Sequence, residues 1–221
     1  MLKIIIGNRA YSSWSMRGWL AVKHSGEEFE EYVVPLFDAE WDERREGDEF
    51  APSLGKVPIL WDGDCVVWDS LAIIDFLADR HGRELFWPDD DAARGMARSM
   101  AAEMHSGFAF LRRELPMNVR KSYPPRELSG EVRVEIDRIM QLWAQARARF
   151  GGTGDFLFGQ WCAVDIMYAP VVTRFITYGV PVPPFAALYM KAVLSQPHVM
   201  DWIDKAQDEP WVIEQYETET A

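Results

Sequence analysis

Short apolar runs alternate with amphipathic stretches in the first part of the chain. LKIIIG, FEEYVVPL and VPILWDGDCVVW are typical of strands, whereas WSMRGWLAVKHSG and DSLAIIDFLADRHG have the spacing of helices with one apolar face. Asp62 and Gly63 separate two β-rich runs and predict a hairpin, and Gly26 and Gly82 stand where helix C-caps are expected. The pattern predicts strand, helix and strand, then a weakly periodic acidic helix or loop after Phe37, a β-hairpin and a helix.

From about residue 83 the pattern becomes helical. A linker that contains a proline and three aspartates leads into predicted helices over residues 90–116, 129–150 and 162–178, followed by shorter ones near 185–195 and 198–207. We therefore expect an α/β domain of residues 1–82 and an all-helical domain of residues 90–221.

Composition narrows the class of protein. About half of the 221 residues are apolar and about a quarter are charged, which is typical of a folded globular chain. The net charge of −12 argues against a nucleic-acid partner and against binding to anionic membrane surfaces. No run has the length of a membrane span or a signal peptide. Cys65 and Cys162 lack the spacing of a disulfide framework or a metal site, so we expect no metal and a reducing, cytoplasmic location.

Three serines, Ser12, Ser13 and Ser15, surround Trp14 directly before the first predicted helix. Serine is a preferred N-cap residue, so capping is one interpretation. A helix N-terminus also carries partial positive charge and free N–H donors, so the hydroxyls could instead hold a negatively charged group. The serines alone leave both interpretations open.

Two other short segments have a plain and a functional interpretation. Pro58 could be a trans proline that starts a strand, or a cis proline that leaves the backbone of Val57 free to pair with an extended peptide. Asp69 and Ser70 could simply cap a helix. They could also hold an amino-acid head group, with the carboxylate on its ammonium and the serine on its carboxylate.

These features follow one another in the order of a known family. Over essentially its whole length the chain resembles cytosolic glutathione S-transferases: SSWSMR is similar to the serine-rich motif of the zeta and tau-like classes, GKVPIL to the cis-proline segment, and VVWDSLAIIDFLAD to the segment that binds the γ-glutamyl end of glutathione. FLFGQWCAVDIMYAPVVTRF is similar to the motif that starts the buried central helix. The resemblance implies a thioredoxin-like domain, an all-helical domain and a homodimer.

The resemblance also implies a detoxifying transferase that has glutathione as co-substrate. Thioredoxin-like redox proteins have two cysteines where this chain has serines, so the reactive thiol must come from the ligand. In the zeta and tau-like patterns the catalytic serine lies five residues before an arginine of the first helix, so the resemblance implies that Ser12, five residues before Arg17, stabilises the thiolate. Ser13 is the second candidate, and Ser15 is expected to be a cap. Tyr11 is a rival donor. Arg17 is either catalytic or a solvated or ion-paired helix residue.

For the remaining contacts with glutathione, the resemblance points to Lys56 at the glycine carboxylate, Val57 and Pro58 at the cysteinyl backbone, and Asp69 with Ser70 at the γ-glutamyl group. A small apolar electrophile is expected between the two domains, in a pocket formed by Tyr11, Trp14, Met104, His105 and Phe108. Met104 and Phe108 also fit a stripe of apolar residues on the core-facing side of a helix.

Two other functions remain open. The zeta resemblance suggests a glutathione-dependent isomerase of the maleylacetoacetate type, although Trp14 replaces the cysteine of that pattern. A non-catalytic glutathione-binding or scaffold protein would keep the fold without a hydroxyl directed at sulfur. In the segment FLFGQWCAVDIMYAPVVTRF, which is similar to the start of the central helix, Asp165 is expected to be structural and to accept the backbone N–H of Cys162.

Overall fold

The computed structural model describes residues 1–217 and begins with a four-stranded mixed sheet. The strands are β1 (Leu2–Gly7), β2 (Phe29–Val34), β3 (Ile59–Asp62) and β4 (Cys65–Trp68), in the order β2-β1-β3-β4. β1 is parallel to β2 and antiparallel to β3, and β3 is antiparallel to β4. Asp62 pairs with Cys65 across a turn in which Gly63 has a φ of 59°, which confirms the predicted hairpin.

Helices α1 (Ser13–Ser25) and α3 (Ser70–His81) pack against each other beside this sheet. Apolar residues recur along each helix at helical spacing and face inward, so that Trp19 and Leu77 are fully buried. Gly26 ends α1 in the left-handed conformation, as predicted. The acidic segment after Phe37 contains the short α2 (Trp41–Arg44), whose buried Trp41 packs edge-on against Phe50. A further short helix, α4 (Arg83–Phe86), follows α3.

Helices make up most of the remaining described chain. They are α5 (Asp91–Ser106), α6 (Ala109–Glu114), α7 (Gly130–Phe150), α8 (Ala163–Thr177), α9 (Pro184–Leu194) and α10 (Pro197–Gln207). The sheet and helices α1 to α3 lie within residues 1–82, whereas residues 218–221 of the predicted helical domain lie outside the described residues.

The single helix predicted over residues 90–116 is wrong. The chain leaves the helix at Gly107, and Phe108 takes a left-handed φ of 60° before α6 begins. A Cβ at Gly107 would lie 2.8 Å from the carbonyl oxygen of Glu103, so this tight break needs glycine. The apolar spacing continues across the break, which is why periodicity alone does not reveal it.

Helix α8 is buried along almost its whole length and packs against both α1 and α5. Its first turn is held by Asp165, whose Oδ2 accepts the N–H of Cys162 at 3.0 Å and whose Oδ1 accepts the N–H of Leu157 at 3.2 Å. The predicted contact between Asp165 and Cys162 is therefore confirmed. Asp165 is fully buried, and this burial raises its pKa to about 6.

The raised pKa of Asp165 predicts a pH-dependent stability. Between about pH 4 and pH 6 the unfolded chain loses the Asp165 proton while the folded chain keeps it, so unfolding becomes easier by about 2–3 kcal/mol as the pH rises. In Asp165→Asn the side chain does not titrate, so this fall in the free energy of unfolding is absent. The stability advantage of the wild type over Asp165→Asn, measured by urea unfolding, should therefore shrink across that range. A constant difference would contradict the account, and Asp155→Asn controls for removal of one exposed negative charge.

Gly18 allows α1 to approach the loop before β3. A Cβ at this position would lie 2.7 Å from Cγ of Pro58, a rigid ring that cannot swing away. We expect Gly18→Ala to lower the free energy of unfolding by about 1–3 kcal/mol through overpacking, despite the better helix propensity of alanine. Gly95→Ala in α5 is the matched control, because a Cβ there meets nothing within 4 Å. Urea unfolding should show the second variant to be neutral or stabilised, and equal behaviour of the two would refute the packing argument.

Candidate active site

Ser12 and Ser15 form a hydroxyl pair at the start of α1. Ser12 is the N-cap: its Oγ accepts the N–H of Ser15 at 3.2 Å and donates to Oγ of Ser15 at 2.8 Å. Ser15 is fully buried, and its Oγ accepts the N–H of Gly7 at 2.9 Å. The expectation that Ser15 caps the helix is therefore wrong, because Ser15 instead ties α1 to the end of β1.

The two residues between them face different surroundings. Ser13 is buried, and its Oγ accepts a hydrogen bond from Nη2 of Arg174 on α8 at 3.3 Å. Trp14 is partly exposed, and its ring centre lies 5.3 Å from that of His105, with the two rings packed edge to face. The serine-rich segment is thus in contact with the helical part of the chain at two points.

Tyr11 is committed elsewhere. Its buried hydroxyl donates to Oε1 of Glu217 and accepts from Nη2 of Arg120 at 2.6 Å. Burial and the contact with Glu217 raise the pKa of Tyr11, so the phenol stays neutral. Because its proton already binds a carboxylate, Tyr11 is a poor rival to the serines as a donor to sulfur.

The segment before β3 contains a cis proline. The Val57–Pro58 peptide bond is cis, so the alternative of a trans proline is wrong. Lys56 is exposed, and its backbone N–H donates to Oγ of Ser53 at 3.0 Å. The preceding Leu54 and Gly55 both have positive φ, at 52° and 74°, so the loop turns sharply just before Lys56.

Asp69 and Ser70 start α3 in an unusual conformation. Asp69 has a φ of 76°, which is rare for a residue with a side chain, and its Oδ1 accepts the N–H of Leu71 at 2.8 Å. Ser70 is fully buried, and its hydroxyl has no partner among residues 1–217. Strained backbone and unpaired buried polar groups are both costly and concentrate at sites of function.

His105 lies across the gap from α3. Its Nε2 is 2.7 Å from Oδ2 of Asp69, so this residue of α5 contacts both Asp69 and Trp14. The neighbouring Met104 is fully buried in the core, and Phe108 is almost so. Their burial favours the interpretation of the methionine and aromatic stripe as core packing.

Sequence reasoning missed a group of arginines. Arg17 is fully buried, and its Nε donates to the backbone oxygen of Met167 at 2.8 Å, so the alternative of a solvated or ion-paired arginine is wrong. Arg112 and Arg174 lie close enough for each to lower the pKa of Arg17, which burial lowers most. The signal in the sequence was Arg174, a charged residue in a helix whose other residues are mostly apolar.

The N-terminal part of the chain matches a known domain. Residues 11–80 match the family model described as glutathione S-transferase, N-terminal domain. A class-mu 26 kDa glutathione S-transferase from Fasciola hepatica is 28% identical over 140 residues, which cover 59% of this chain. The chain spans 58% of the length of that relative.

By these matches the chain is similar to glutathione S-transferases.

Solved structures of glutathione transferases share the fold of this chain. A glutathione transferase homologue from Burkholderia, solved with bound glutathione, has a TM-score of 0.68 and 20% identity, and the match covers 94% of this chain and 98% of the other. A theta class glutathione S-transferase from Xanthomonas axonopodis pv. citri, solved with glutathione bound, has a TM-score of 0.64 and 20% identity, covering 91% and 96%. At this identity the likeness shows the thioredoxin-like and all-helical architecture alone.

Within residues 1–217, no helix is long and apolar enough to cross a membrane. The same residues contain no group of three or more His, Cys, Asp or Glu side chains arranged to hold a metal ion. Cys65 and Cys162 are both free, the first exposed and the second buried.

Proposed function

We propose that this protein is a glutathione S-transferase, an enzyme that binds glutathione and transfers its sulfur to a small, largely apolar electrophile. The observation that carries the proposal is the unpaired buried hydroxyl of Ser70 beside the strained Asp69, in the domain that matches the family. An unpaired buried hydroxyl costs stability that a ligand group can restore.

Ser12 is the proposed donor to the glutathione sulfur. Hydroxyl protons rotate to suit their partners, so in the complex Ser15 donates to Ser12 across their 2.8 Å contact and Ser12 donates to the sulfur. A hydroxyl that donates to a charged atom contributes about 1.5–3 kcal/mol, and the helix N-terminus about 0.3–1 kcal/mol. Together they lower the pKa of the thiol by roughly 1.5–3 units from about 8.5. The serine acts as a hydrogen-bond donor and keeps its proton.

The rest of glutathione is proposed to lie along β3 and the start of α3. Lys56 faces the glycine carboxylate, and Val57 before Pro58 pairs with the cysteinyl backbone. Asp69 holds the γ-glutamyl ammonium, and Ser70 holds the adjoining carboxylate. His105 keeps the carboxylate of Asp69 in place through their 2.7 Å contact.

The second substrate is proposed to bind beside Trp14, where the helical part of the chain approaches α1. The thiolate attacks the electrophilic carbon, the new C–S bond forms, and the leaving group departs with the bonding electron pair. The thiol proton has already gone to solvent. A homodimer in the cytoplasm is the assembly and location that we propose by resemblance to the family.

Glutathione binding and turnover together test this function. With glutathione at pH 7, the wild type should show the ultraviolet absorbance of a bound thiolate and should conjugate 1-chloro-2,4-dinitrobenzene. Binding without thiolate or turnover would favour the scaffold alternative. Isomerisation of a maleyl-type diacid, faster than any conjugation, would favour the isomerase.

A further inference from the structure

Three arginines from three helices meet around the first turn of α1. The guanidinium carbons of Arg17 and Arg112 lie 5.0 Å and 4.8 Å from the centre of the Trp14 ring. Arg174 donates to Ser13, the residue before Trp14, at 3.3 Å. Three positive charges therefore converge next to the serines that open the helix, and Trp14 contacts two of them.

We call Arg17, Arg112 and Arg174 the arginine cluster. Glu135 and Asp69 lie near enough for their charges to raise the pKa of Arg112 and of Arg17, but burial outweighs both effects. None of the three takes part in the ion pairs found among residues 1–217. Their Nε atoms donate instead to backbone oxygens of Met167, Gly107 and Leu115. Both Nη atoms of Arg17 and Nη1 of Arg112 are buried and have no partner within the described chain.

Such an arrangement is costly for the protein alone. Burying a guanidinium without a counter-charge is strongly unfavourable, and each neighbouring positive charge adds repulsion. Burial and, to a smaller extent, the charge of Arg112 lower the pKa of Arg174 to about 9. A bound anion would remove both costs at once by accepting the free N–H groups and balancing the charge.

We propose that the arginine cluster binds a carboxylate on the second substrate, so that the electrophile is a flat apolar acid. The planar fork of arginine matches the two oxygens of a carboxylate. Trp14, which contacts Arg17 and Arg112, is partly exposed, so the accessible part of its indole offers an apolar contact for the ring of an aromatic acid. This inference rests on the proposed function.

The position of the cluster assigns it to the electrophile rather than to glutathione. The proposed contacts of both ends of glutathione lie just before β3 and at the start of α3, whereas Arg112 and Arg174 belong to α6 and α8. Ser13, which Arg174 contacts, is adjacent to Ser12 and hence to the proposed sulfur position. An acid held there lies beside the thiolate that attacks it.

A matched acid and amide test this assignment. In 4-chloro-3-nitrobenzoate, the thiolate forms a C–S bond at the carbon that loses chloride, and 4-chloro-3-nitrobenzamide is its neutral counterpart. The wild type should turn over the acid with a kcat/KM about tenfold or more above that of the amide, the size expected of one charge-assisted hydrogen bond. The carboxamide activates the ring more strongly than the carboxylate does, so each kcat/KM is first divided by the rate constant of the uncatalysed reaction with glutathione. This normalised ratio is the one that should reach about tenfold and that reports the carboxylate contact.

Arg112→Gln should bring the ratio of acid to amide close to one. Arg113→Gln, an exposed neighbour on the same helix, should keep the wild-type ratio. If Arg112→Gln lowered kcat/KM equally for the acid and the amide, the arginines would instead act on glutathione, and the inference would be overturned. A wild-type ratio near one would overturn it as well.

Calorimetry with unreactive ligands tests carboxylate binding separately from conjugation, and it requires the wild-type protein alone. Wild-type protein should bind 4-nitrobenzoate about tenfold or more tightly than 4-nitrobenzamide. Binding of the acid by a protein that conjugates nothing would overturn the proposed function and leave the carboxylate site standing. If the protein turned over neutral electrophiles but did not prefer 4-nitrobenzoate to 4-nitrobenzamide, the carboxylate site would be overturned and the proposed function would stand.

Discussion

Replacing Ser70 by alanine should stabilise the free protein and weaken its binding of glutathione. The hydroxyl is fully buried and has no partner within residues 1–217, so its removal takes away an uncompensated polar group. We expect a gain of about 1 kcal/mol in the free energy of unfolding. Loss of a hydrogen bond to the γ-glutamyl carboxylate should at the same time weaken binding about tenfold or more.

A buried threonine provides the matched control. The hydroxyl of Thr177 is buried and donates to the backbone oxygen of Asn118 at 2.9 Å, so Thr177→Val should lose stability and keep its affinity for glutathione. Urea unfolding and calorimetry measure the two quantities separately. A Ser70→Ala variant that is destabilised, or that binds glutathione as the wild type does, would refute the role of this hydroxyl.

Ser12→Ala should reduce conjugation strongly at neutral pH. Loss of a hydrogen bond to the charged sulfur, about 1.5–3 kcal/mol, lowers kcat/KM for 1-chloro-2,4-dinitrobenzene by about 10-fold to 150-fold. The deficit should diminish as the pH rises, because the thiol then ionises without help. Loss of the N-cap also costs about 0.5–2 kcal/mol of stability, so kinetics are compared at a temperature where the variant is folded.

Ser13→Ala is the control for this variant, since Ser13 lies in the same turn but accepts from Arg174. We expect a much smaller change in kcat/KM. A larger effect at Ser13 than at Ser12 would transfer the role of donor to Ser13. A uniform deficit of Ser12→Ala at all pH values would mean that the loss arises from helix capping.

The order of the elements could be predicted because it depends on local patterns. The period-two and period-3.6 spacings, the hairpin at Asp62 and the cap at Gly26 each involve residues close in sequence. The break between α5 and α6 could not be predicted, because one conformational change at Phe108 redirects the chain without altering the apolar spacing.

The sequence located the short segments that contribute to the site but not the contacts between them. The segments of Ser12, Pro58 and Asp69 were located from the sequence, but the partners of Ser12 and Ser15 depend on how α1 meets β1. The arginine cluster joins residues more than 50 positions apart along the chain, and arginine is ordinarily exposed. Such a cluster becomes visible only when the helices are placed in space.

The measurement that tests the central claim most directly is the pKa of the glutathione thiol in its complex, read from thiolate absorbance across a pH titration. In the wild type the account predicts a pKa of about 5.5–7, against about 8.5 for a free thiol. In Ser12→Ala the value should rise by about one to two units, while Ser13→Ala should stay near the wild type. A bound thiol that titrates near 8.5 in the wild type, or identically in wild type and Ser12→Ala, would contradict the account.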